Sequence, residues 1–107
     1  MDKKILLTAG WVALFASTAV MAGDPVAGRE KSKVCAACHG ADGNSQSPDF
    51  PRLAGQYEDY LVKALNDYKS GARKNPIMAP QAASLSKRDI ADLAAFYSRQ
   101  QGLTLKR

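Results

Sequence analysis

Both cysteines of this chain and its only histidine fall within five residues, in the stretch Val34-Cys35-Ala36-Ala37-Cys38-His39-Gly40. No other feature restricts the fold so strongly. Thiols two residues apart can form a redox dithiol, supply half of a zinc site or anchor a porphyrin. Each choice would organise the chain differently.

The N-terminal segment narrows the context. Lys3 and Lys4 precede a mostly apolar run from Ile5 to Val20, softened by Thr8, Gly10, Ser17 and Thr18. Val20 and Ala22 then occupy the small positions before a cleavage point. Residues 1–22 read as a secretory signal peptide cut after Ala22; an uncleaved anchor is the alternative. The expected mature domain is residues 23–107, in the periplasm, with a net charge of about +4. It keeps one methionine, Met78, and no tryptophan, because Trp11 leaves with the signal. A domain this small buries little apolar surface and usually needs a staple. A Cys35–Cys38 disulfide would close too small a loop to serve as one.

Three helices are predicted. The first has Asp24 as N-cap and Pro25 at its first position, and runs through Val26–Val34 to about Cys35. The second begins near Gln56, with Tyr57, Tyr60, Leu61, Ala64, Leu65 and Tyr68 at helical spacing and Gly71 as its stop. The third starts at Ser86, with Asp89 completing a capping-box variant and Ile90, Leu93, Ala94 and Tyr97 on its apolar face. No stretch alternates with period two, so an all-α fold is expected. The segments 40–55 and 73–85 read as loops. The first carries Pro48 and Pro51; in the second, Pro76 and Pro80 flank Met78. Long loops in so small a domain have work to do, and wrapping a large apolar cofactor would be such work.

The spacing Cys-x-x-Cys-His fits covalent haem attachment. Cys35 and Cys38 can reach the two vinyl groups on one porphyrin edge, and His39 is carried under the ring, where Nε2 can bind iron. Zinc would need a fourth ligand, and a carboxylate would have to supply it. A thioredoxin-like dithiol would need a βαβ pattern, which is missing here. A covalent haem c would also be the missing staple.

The chain resembles class I c-type cytochromes of the small soluble bacterial kind, and is similar to one half of the two-haem periplasmic members. The matching stretches are GDPVAG, CAACHGADG, PRLAGQ, YLVKAL with the following Y..G.R, NPIMAP and LS..DIADLAAFY. The resemblance implies three to five helices wrapped round one haem, with the terminal helices crossing. Gly28 matches the small residue at that crossing, and Tyr97 the aromatic opposite.

Met78 aligns with the family's axial methionine, and a stiff loop between prolines is an odd place for flexible core filler. Iron would then lie between His39 and Met78. His39 Nδ1–H needs an acceptor to fix the ring. The resemblance assigns this to the carbonyl of Pro51; from sequence alone Pro48 competes. Leu53 matches an apolar haem contact.

Two filled axial positions leave no room for substrate, so one-electron transfer without catalysis is expected. A haem with an open sixth site is one alternative. An electron-entry haem subunit of a larger oxidoreductase is another. The expected partners are a redox protein donor and acceptor, one of them a membrane-bound oxidase or reductase. Neither nucleic acid nor a small-molecule substrate is expected.

Overall fold

The computed structural model describes residues 22–102. The expected signal peptide, residues 1–22, lies outside them except for Ala22, as do residues 103–107. The elements in order are α1 (Pro25–Lys31), a 3₁₀ turn (Ser32–Val34), α2 (Ala36–His39), α3 (Glu58–Ser70), α4 (Met78–Ala83) and α5 (Lys87–Ser98). Among the described residues there is no strand, and no helix is long and apolar enough to cross a membrane.

The helix boundaries follow local chemistry. Asp24 caps α1 by accepting from Val26 N–H at 2.9 Å, with Pro25 at the first position. Ser86 and Asp89 cap α5 reciprocally: Asp89 N–H donates to Ser86 Oγ at 3.0 Å and Ser86 N–H to Asp89 Oδ2 at 2.9 Å. Gly71 ends α3 in the left-handed conformation. The segment 73–85, expected to be a loop throughout, contains α4. Two prolines suggested irregular backbone, but Pro80 sits in the first turn of α4, where a missing N–H costs nothing.

The frame is the crossing of α1 and α5. A Cβ on Gly28 would lie 2.0 Å from the Asp92 carbonyl oxygen and 2.8 Å from Phe96 Cβ. The helices touch backbone to backbone there, and only glycine permits it. The aromatic at the contact is therefore Phe96. Tyr97, expected in that role, is one residue round the helix and faces the cluster of Leu61, Leu93, Ala94 and Phe96. Nearly every residue of α5 from Ile90 to Tyr97 is buried, since α1 covers one side and α3 another. Burial of Ile90 and Leu93, each 1% exposed, contributes about 2 kcal/mol apiece.

Asp92 ties this crossing together. It is 2% exposed, yet charged. Its Oδ1 accepts from Asp24 N–H at 2.8 Å, and its Oδ2 from Lys31 Nζ at 2.7 Å. Both ends of α1 thus converge on one carboxylate. Lys31 also reaches Asp89 at 2.9 Å. Burial pushes the Asp92 carboxyl up, but the Asp24 N–H and Lys31 outweigh it and hold the group below the usual carboxylate range. The Ser86 N–H, aided by Lys31, pulls Asp89 down to about 2.

Two outcomes are expected. Gly28→Ala forces the crossing apart and costs about 2–3 kcal/mol, read as a lower denaturant midpoint with unchanged slope. Asp89 and Asp92 both titrate lower in the folded chain, so the stability they contribute is present above the ordinary carboxylate range and is lost on acidification, for Asp89 as pH falls toward about 2. Asp92→Asn is expected to lower stability at neutral pH by about 2 kcal/mol and to flatten that acid limb. Thermal melts between pH 7 and pH 2 check both.

Candidate cofactor site

The 3₁₀ turn delivers the chain from α1 into the short α2, which carries Cys38 and His39 and is preceded by Cys35 at its N-cap. Cys38 N–H and His39 N–H both donate to the Cys35 carbonyl, at 3.2 and 3.0 Å. This tight turn puts Cys38 and His39 one helical turn on from Cys35, on the same side. No disulfide joins the cysteines, and both are half-buried. Burial pushes the Cys35 thiol up, and the neighbouring Cys38 adds to the shift. A reactive dithiol needs the opposite shift. Among the described residues no group of three His, Cys, Asp or Glu side chains is placed to hold a metal ion.

His39 is buried, and its Nδ1 lies 2.8 Å from the Pro51 carbonyl oxygen. A carbonyl can only accept, so Nδ1 carries the proton and Nε2 keeps its lone pair. The ring is thus fixed in the tautomer that binds a metal. Phe50 packs edge-on to it, with ring centroids 6.3 Å apart. Pro51 rather than Pro48 supplies the acceptor because of how the loop is held. Leu53 N–H and Ala54 N–H both donate to the Gly43 carbonyl, at 2.8 and 3.2 Å. Gly55 N–H donates to the Tyr97 carbonyl at 2.9 Å, pinning the loop to the end of α5. Gly43 has φ 86°, and a Cβ there would lie 2.8 Å from the Tyr97 ring, so the loop lies flat on α5 only with glycine at this position.

Cys35, His39, Pro51, Leu53 and Met78 all line one cavity. Cys38, also half-buried, lies outside its lining. The walls are apolar: Leu61, Ala64 and Leu65 from α3, Leu93 and Ala94 from α5. Tyr60, expected on the buried face of α3, is 48% exposed at the rim, and Tyr57 is 55% exposed. Lys31, Arg52 and Arg73 are the charged lining residues, and no carboxylate joins them. Tyr97 brings a buried hydroxyl that has no hydrogen-bond partner of good geometry; burial, then the neighbouring Cys35, raises its pKa.

This donor set fits a haem. A nitrogen lone pair and a thioether are the soft donors that suit its iron. Apolar walls suit the porphyrin faces, and cations at the rim suit its two carboxylates. The sequence offers Arg73 only as one of the basic residues near the ligand loops; in the fold it lines the cavity, donates to the Tyr60 hydroxyl at 3.3 Å and lies 4.8 Å over the Tyr68 ring. Sequence reasoning missed Asn75, whose Oδ1 accepts from Ile77 N–H and Met78 N–H, both at 2.9 Å. Asn-Pro ahead of a short apolar segment was the available signal.

Known proteins resemble this chain in sequence and fold. The family model for cytochrome c matches residues 26–99. Cytochrome c4 of Pseudomonas aeruginosa is 48% identical over 97 residues, which are 91% of this chain and 46% of that protein. Cytochrome c-554(548) of Halomonas halodenitrificans is 46% identical over 83 residues, 75% of this chain and 100% of that protein. The crystal structure of reduced recombinant cytochrome c4 from Pseudomonas stutzeri superimposes with a TM-score of 0.73 at 47% identity, covering 77% of this chain and 48% of that one. The chain therefore spans about half the length of the cytochrome c4 relatives.

Proposed function

This chain belongs to the cytochrome c family, whose cofactor is covalent haem c, and on that premise we propose that it carries single electrons between redox proteins in the periplasm. Cys35 and Cys38 form the thioethers, and His39 and Met78 take the two axial positions on iron. When bound, the haem supplies a one-electron ferric/ferrous couple.

The observation that carries this reading is the His39–Pro51 hydrogen bond at the edge of a cavity that also exposes Met78. It commits Nδ1 and leaves Nε2 for metal. The thioether of Met78 favours ferrous iron and sets the potential high. The apolar walls exclude water from the couple. Nothing in this division of labour needs a substrate pocket, and the proposed role is not enzymatic. Export of residues 23–107 after removal of the signal peptide 1–22 places that chemistry outside the cytoplasm.

The docking face follows from what surrounds the cavity. Val34, 69% exposed, lines it, and Ile77, 54% exposed, adjoins Met78. Lys33, Lys74, Lys87 and Arg88 are exposed on segments that flank it. An apolar edge ringed by positive charge suits brief contact with an acidic partner, such as a membrane-bound oxidase or reductase. A second reading, an electron-entry haem unit of a larger oxidoreductase, draws on the double length of the cytochrome c4 relatives. Its mark is a stable complex on gel filtration from native membranes or periplasm.

The intact mass is expected to exceed that of the polypeptide cut after Ala22 by one haem that acid solvent does not extract. The ferric protein is expected to show the weak far-red sulfur-to-iron band. Met78→Ala is expected to lose that band and to bind carbon monoxide readily. Rapid carbon monoxide uptake by the unaltered protein would instead support an open sixth site. For docking, the second-order electron-transfer rate toward an acidic partner is expected to fall as salt rises. Lys74→Glu is expected to slow the low-salt rate and leave the haem spectrum alone.

A further inference from the structure

The segment bearing Met78 is fastened by side chains, and one residue dominates. The first turn of any helix leaves backbone N–H groups without partners. In α4 these are closed almost entirely by Asn75. Its Oδ1 accepts from Ile77 N–H and from Met78 N–H, both at 2.9 Å. Its backbone carbonyl accepts from Ala79 N–H, also at 2.9 Å. The next residue is Pro80, which has no N–H to satisfy. Pro76 stiffens the link between Asn75 and the donors it caps.

The capped turn is in turn tied to α3 on both sides. Before it, Arg73 N–H donates to the Asp67 carbonyl at 3.0 Å, and the guanidinium is held by the Tyr60 hydroxyl and the Tyr68 ring. After it, Lys69 Nζ donates to the Leu85 carbonyl. Both ties leave from α3, so the segment has a fixed footing there. What remains free to fray is the first turn of α4, and Met78 is its first residue.

We propose that Asn75 is the positioning residue for the sixth ligand: its cap holds Met78 against the cavity, and without it the methionine leaves iron more often. The inference rests on the Met78 ligation proposed above. It assigns Asn75 no contact with iron or porphyrin. Its effect is on the population of a frayed first turn, from which Met78 cannot reach the metal.

The test uses the mature holoprotein, with carbon monoxide as the probe of the ferrous form and the far-red band as the probe of the ferric form. Asn75→Ala removes the acceptor and nothing else, and is expected to speed carbon monoxide uptake about fivefold, the effect of a lost cap on local opening. The far-red band is expected to fade at a lower temperature than the helical signal. Asn75→Asp keeps an acceptor in place and is expected to stay within about twofold of the unaltered protein. Lys69→Met releases the far end of the segment and is expected to act in the same direction, by about twofold. Uptake by Asn75→Ala and Lys69→Met at the unaltered rate, with the band intact, overturns the inference and leaves Met78 ligation standing. An unaltered protein that lacks the band and binds carbon monoxide at once overturns both.

Discussion

Asp92 takes a hydrogen bond from the backbone at the start of α1 and an ion pair from the side chain at its end. Everything else in the domain hangs from the crossing this closes. The α1–α5 contact is so close that Gly28 has no space for a methyl group, so the two helices cannot slide to find another register. Once α1 is set, the 3₁₀ turn and α2 follow within a few residues, and Cys35 packs against the cluster that holds Tyr97. A buried charge is a costly way to join two helices, but it is directional where apolar packing is not. Loss of either partner would leave the other without its match.

The cavity explains why so small a core suffices. The described core consists of α5 with Leu61 of α3, Ala82 of α4 and Ala54 of the 40–55 loop. Leu53, Val62, Leu65 and Leu85 pack against it while only half-buried. Leu53, Leu65 and Leu85 also face the cavity. These side chains are arranged to cover something the polypeptide does not provide. A covalent haem c supplies that apolar mass, and burying it completes the core that the chain alone lacks.

Much of this was legible in residue patterns because it is local. Asp24–Pro25, Ser86 with Asp89, and Gly71 mark helix ends through chemistry confined to one turn. The cysteine and histidine spacing names a cofactor because thioether geometry tolerates few alternatives. What the pattern missed depends on tertiary context. Phe96 and Tyr97 are adjacent and both aromatic, so periodicity cannot say which meets Gly28. Asp92 reads as a surface residue on the polar side of α5, and only the packed α1 turns it into a clamp. Asn75 and Arg73 look like ordinary loop residues until Tyr60, Tyr68 and α4 are placed around them.

The two proposed axial residues are held by different means, and the difference bears on function. His39 sits on a helical turn, is buried, and has its ring locked by a carbonyl in a loop that is itself bonded to α5. To free it, the 40–55 loop must lift from the core. Met78 is only half-buried, opens a six-residue helix, and owes its place to the half-buried Asn75 and the exposed side chains of Arg73 and Lys69. Exposed contacts of this kind are individually weak and open locally long before a core does. The histidine side is thus built as a permanent anchor. The methionine side is a clasp beside the exposed Ile77, and in the proposed role it would keep the second ligand on iron through each electron exchange.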